Sequence, residues 1–96
     1  MIQNIWKKQL PRQLMDYMSA LKSKAETQAF LDDLCSPQEI EDFAKRLECA
    51  IMIMKGKNYR DIAKKLDLST TTVTRVAKWA KNKNGGFQTL YKKTQK

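Results

Sequence analysis

Residues Tyr59 to Lys78 read Y-R-D-I-A-K-K-L-D-L-S-T-T-T-V-T-R-V-A-K. Ile62, Ala63 and Leu66 recur at helical spacing, and after a break so do Val73, Val76 and Ala77. Asn58 and Ser69 each precede one of these segments and can cap it. Between them Asp67-Leu68 makes a corner, with Leu68 as its apolar plug. Asp stands where such corners usually carry glycine, and it tolerates positive φ better than most residues. Ala63 is small, as two closely crossing helices require. The pattern predicts a helix from Tyr59 to about Leu66 and a second from Thr70 to about Asn82, a helix-turn-helix.

The outward residues of the second helix are Thr70, Thr71, Thr74, Arg75 and Lys78. Its first turn is small, polar and uncharged, and its far end is basic. The major groove of DNA admits one helix, and the helix start approaches base edges most closely. Small threonines allow that approach, offering a hydroxyl to base edges and a methyl to thymine. Thr70, Thr71 and Thr74 are therefore the candidate base readers. Arg60, Lys64, Lys65, Ser69, Arg75, Lys78 and Lys81 are candidates for the phosphate backbone, which sets register without sequence information. The ordinary alternative is a helical hairpin with a solvated basic face.

The surrounding charge agrees with the polyanion reading. The 96 residues carry 19 Lys plus Arg, 10 Asp plus Glu and no His, a net of +9. Residues 1–48 hold seven basic and eight acidic residues, a net of −1, whereas residues 49–96 hold twelve and two, a net of +10. All the excess charge lies in the half that contains the motif.

Upstream the pattern stays helical. Pro11 suits a first helical turn, and Leu14, Tyr17, Met18 and Leu21 follow at helical spacing. Ala25 to Leu34 reads as a second short helix. Ser36-Pro37-Gln38-Glu39 is a capping box that opens a third, worth on the order of 1 kcal/mol. It runs to about Lys55, and Gly56 is placed to end it. Ile40, Phe43, Ala44, Leu47, Ala50, Ile51 and Met54 make one stripe along it, and Cys49, Met52 and Ile53 add apolar residues on its other faces. A helix apolar all round must be covered all round, which points to a dimer interface; the alternative is a central helix in a monomer core. Asn82-Lys83-Asn84-Gly85-Gly86 breaks the last helix. Residues 87–96, with Phe87, Leu90 and Tyr91, are open to a strand-like arm, a dimer contact or a disordered basic tail.

Several classes are excluded. The longest apolar run, Cys49 to Met54, is far below the roughly 20 residues of a membrane helix. Trp6 is followed at once by Lys7 and Lys8, unlike a signal peptide, so a cytoplasmic protein is expected. Cys35 and Cys49 are not spaced as a metal or redox pair and read as two reduced, buried thiols. Without His or clustered Cys, no metal or cofactor is expected. Asp32, Asp33, Glu39, Glu41 and Asp42 read as helix surface rather than paired catalytic acids, and an enzyme is not expected.

Ser36-Pro37-x-Glu39, Lys45-Arg46-Leu47, Lys55-Gly56 and the span from Ile62 through Arg75 resemble the Trp repressor family. Gly56-x-x-Tyr59-x-Asp61-Ile62 and Ser69-Thr70-x-Thr72-Val73-x-Arg75-Val76 are closer to its short YerC/YecD relatives. The resemblance covers about Ala25 to Lys81. It implies an all-α, intertwined homodimer of bacterial origin whose two heads meet a palindromic operator about 34 Å apart. The family's base-reading positions fall on Thr70, Thr71 and Thr74, and Arg60 falls on a backbone-contacting one. Its effector positions fall on Ser36, Arg46 and Arg75. However, Val76 stands where the family has a glycine that makes room for the ligand, and Trp79 where it has a serine. Both would fill that volume, so DNA binding is expected to need no tryptophan, whether or not another small-molecule corepressor acts.

Together these features describe one domain: a helical dimerisation scaffold (1–57), the helix-turn-helix (58–82) and a basic C-terminal tail (83–96). The expected function is a sequence-specific repressor on double-stranded DNA. A helical protein–protein adaptor or RNA-binding module with a basic face is the alternative.

Overall fold

The computed structural model describes residues 3–95, and among them it is helical without strands. Two compact units divide the chain, Met1–Ile40 and Glu41–Lys96.

The first unit holds a short 3₁₀ helix (Gln3–Lys7), α1 (Gln9–Ser19), α2 (Lys24–Leu34) and the first turn of α3 (Pro37–Met54). The 3₁₀ helix packs on α1. Ser23 caps α2: its Oγ accepts from the Glu26 N–H, and Glu26 Oε1 accepts in return from the Lys22 N–H. Ser23-Lys24-Ala25-Glu26 thus has the sequence of a capping box, with the return bond one residue outside the cap, and it places the helix start one residue earlier than the apolar pattern does. No residue of α1 or α2 is buried within the chain, and Leu10, Tyr17 and Leu34 are largely exposed. The expected box at α3 forms, with Glu39 N–H donating to Ser36 Oγ and Ser36 N–H to Glu39 Oε1.

The second unit holds the rest of α3, then α4 (Tyr59–Leu66), α5 (Thr70–Ala80) and α6 (Gly86–Thr94). Gly56 ends α3 at φ 81°, which a residue without Cβ adopts freely. The Lys57 N–H returns to the Met52 carbonyl and the Gly56 N–H to that of Ile53, a Schellman motif. The core of this unit is Cys49, Ala50, Met52 and Ile53 from α3, Ile62 and Ala63 from α4, and Val73, Val76, Ala77 and Ala80 from α5. Leu66, Leu68, Trp79 and Phe87 pack around it.

Several expectations are revised. The continuous α3 stripe is buried only toward the C-terminal end of the helix. Of its seven residues Ala50 is buried and Met54 packs on the core, while Phe43 and Leu47 nearer the start remain 49% and 37% exposed. Cys49, Met52 and Ile53, on the other faces of the same end, join Ala50 in the core because α4 and α5 dock there. Next, α5 ends at Ala80 instead of Asn82, since Lys81 and Asn82 close the last turn with N–H bonds to the Ala77 and Trp79 carbonyls. The segment 83–96 is more than a tail, because Gly86–Thr94 folds as α6 and packs on α5. Finally, Cys49 is buried as expected, but Cys35 is only half-buried.

Candidate nucleic-acid interface

The two helices of the motif are held by local bonds that the sequence specifies. Asn58 Oδ1 accepts from the N–H groups of Arg60 and Asp61 at 2.8 and 3.3 Å. Ser69 Oγ accepts from the Thr72 N–H at 3.0 Å and lies 2.8 Å from Thr72 Oγ1. Asp67 takes the left-handed conformation, φ 54° and ψ 52°. Its N–H and that of Leu68 both reach the Ala63 carbonyl, so the chain reverses on the small residue of α4.

These constraints fix which side chains face out. Ile62 and Val73 have no exposed surface and meet in the core, which turns Arg60, Lys64 and Lys65 on α4 to solvent. On α5 the five outward residues come together: Thr70, Thr71, Thr74, Arg75 and Lys78 line one open depression of about 340 Å³. Thr74 Oγ1 donates to the Thr70 carbonyl at 2.9 Å. No acidic residue follows Asp67 in the chain, so the positive field over this face has no counter-charge from α5 or α6.

Lys81 is drawn to one side, with its Nζ 5.5 Å from the centre of the Tyr59 ring. This cation–π contact joins the end of α5 to the start of α4. A further residue, Gln88, carries no mark in the local pattern of a basic tail. Its Nε2 donates to the Ala80 carbonyl at 2.7 Å, meeting an acceptor that the end of α5 leaves without a helical donor. Phe87, Gln88 and Tyr91 form the covered face of α6, and their i, i+1, i+4 spacing after two glycines was the available clue. Gly85 suits that junction, because a Cβ there would lie 3.2 Å from the Asn82 carbonyl oxygen.

Each expected effector residue has a defined setting within its own unit. Val76 is buried and Trp79 packs against the same core. Arg75, one residue earlier, lies outward in the depression. Arg46 sits over the Phe43 ring at 5.9 Å on α3, and Ser36 is engaged in its capping box. Burial holds the Cys49 thiol above its ordinary pKa, so it is neutral and behaves as a small apolar side chain. Among the described residues no group of three or more Cys, Asp or Glu could hold a metal ion, and no helix is long and apolar enough to cross a membrane.

Comparison with known proteins agrees with this architecture. The family model of the Trp repressor protein matches residues 9–95. YerC, an uncharacterized protein of Bacillus subtilis, is 36% identical over 76 residues, which cover 79% of this chain and 73% of that one. The crystal structure of a TrpR-like protein from Eubacterium eligens is similar with a TM-score of 0.84 and 32% identity, covering 94% of this chain and 93% of that one.

Proposed function

The chain belongs to the Trp repressor family, and from that premise we propose that it is a DNA-binding transcriptional regulator, a cytoplasmic repressor acting as a homodimer on a palindromic operator. The observation that carries this reading is the outward face of α5. Three threonines at the helix start, followed by Arg75 and Lys78, share one depression in the half of the chain with a net charge of +10. In this reading α5 enters the major groove with Thr70, Thr71 and Thr74 toward the bases. Arg60, Lys64, Lys65, Ser69, Arg75, Lys78 and Lys81 hold the phosphates.

The homodimer is supported by the apolar surface that each unit leaves open. Phe43 and Leu47 on α3, and separately Leu10, Tyr17 and Leu34 in the first unit, are large side chains without cover. Independence from tryptophan is supported by Val76 and Trp79, which fill the inner side of α5 with the protein's own atoms. Calorimetry with L-tryptophan tests that part: micromolar binding coupled to tighter operator affinity would refute it.

The main test is selection of a preferred duplex from a random library, followed by gel shifts at two salt concentrations. A specific duplex should emerge as an inverted repeat, and its affinity should fall steeply with salt. Thr71→Ala with Thr74→Ala should abolish the preference while leaving much of the non-specific affinity. Full preference in the double variant removes both residues from the base-reading role.

A further inference from the structure

The depression on α5 has a chemical bias that narrows what it reads. Thr74 donates its only hydroxyl proton to the Thr70 carbonyl, so what this exposed side chain has left for a partner is the oxygen's lone pairs and a methyl group. An acceptor cannot pair with O4 of thymine, O6 or N7 of guanine, or N7 of adenine. In the major groove it is left with the exocyclic amines, N6 of adenine and N4 of cytosine. The methyl decides between them. An A·T pair carries its amine beside the thymine C5 methyl, whereas a G·C pair carries its amine with no methyl.

Nothing else on this stretch competes. No Arg, Asn or Gln precedes Arg75 on α5, so the bidentate contacts that select guanine or adenine are missing from its first turn. Thr70 to Thr74 spans about 6 Å along the helix axis, against about 3.4 Å per base pair. The face therefore covers no more than about two base pairs.

We propose that this face of α5 is a thymine reader. Thr74, with Thr71 beside it, packs its methyl on the C5 methyl of one or two T·A pairs in each half-site, and Thr74 Oγ1 accepts from the adenine amine of the same pair. The proposal rests on the DNA-binding reading above and specifies its chemistry.

The test uses the full chain and a duplex selected from a random library, with each thymine replaced singly by uracil, which deletes only the methyl. One or two positions per half-site should bind about fourfold more weakly, the loss expected for one buried methyl-sized group. Thr74→Ser keeps a hydroxyl able to make the same backbone bond and removes the protein methyl. It should cancel the uracil penalty at its position, while circular dichroism shows the helices intact. At that position a 5-methylcytosine·guanine pair, which offers both a methyl and an amine, should bind more tightly than a cytosine·guanine pair. A selected duplex that tolerates uracil everywhere without loss overturns the thymine reader and leaves DNA binding standing. Failure to prefer any duplex overturns the DNA-binding reading itself.

Discussion

Asp67 offers a sharp test, because its effect depends on backbone conformation and hardly on contacts. It holds φ 54° and ψ 52° between α4 and α5, and it is exposed. A residue with a Cβ pays about 1–2 kcal/mol in this left-handed region, and Asp lies at the low end because it is enriched there. Asp67→Gly relieves that strain but frees the unfolded chain, at a cost of about 0.5–1 kcal/mol. The two nearly cancel, so the glycine variant should stay within about 0.5 kcal/mol of the parent. Asp67→Ala loses the tolerance of Asp without gaining glycine's freedom and should be about 1 kcal/mol less stable. Asp67→Val, branched at Cβ, should cost more than alanine. Urea unfolding followed by far-UV circular dichroism, at one fixed protein concentration, measures the series. Alanine or valine matching aspartate would refute the left-handed corner, and with it the bond from the Leu68 N–H to the Ala63 carbonyl. The same Asp67→Gly variant removes the last acidic residue before α5. Its DNA affinity should rise at low salt, and the gain should fade as salt screens it.

Three further outcomes follow from the same structure. Ile62→Ala deletes a fully buried side chain facing Val73 and should cost about 2–5 kcal/mol in urea unfolding; a loss below about 1 kcal/mol would mean that the α4–α5 core is open. The Cys49 thiol titrates higher folded than unfolded, so the unfolded chain loses its proton first as pH rises. Stability should hold below the unfolded value of about 8.5 and decline above it until the raised folded value is passed, and Cys49→Ala should flatten that decline. Leu47→Glu places a charge on the uncovered side of α3 and should weaken self-association in sedimentation; an unchanged species would show that this side is not the dimer seam.

The helix-turn-helix is legible in the sequence because its determinants are local. Asn58, Ser69 and Ser36 bond to N–H groups two or three residues away, and Asp67 needs only its own backbone freedom. The spacing of Ile62, Ala63, Val73, Val76 and Ala77 fixes the inner faces, and so by subtraction it fixes the outward set from Thr70 to Lys78. The start of α2 is marked by an equally local signal, Ser23 with Glu26 three residues on.

Choices between equally apolar alternatives are not local. Helix α3 carries apolar residues along its whole length. Which of them the chain buries depends on where α4 and α5 dock, and they close over Cys49, Ala50, Met52 and Ile53 at its C-terminal end. The C-terminal segment is similar. Its weak amphipathic pattern becomes a helix where Phe87 reaches the core and Gln88 reaches the Ala80 carbonyl, a partner eight residues away. The amino-acid order by itself determined the reading head, since caps, corner and periodicity act within a few residues. Only the tertiary structure decided which part of α3 stays open and how α6 secures the end of α5, because those outcomes depend on burial shared between elements distant in the chain.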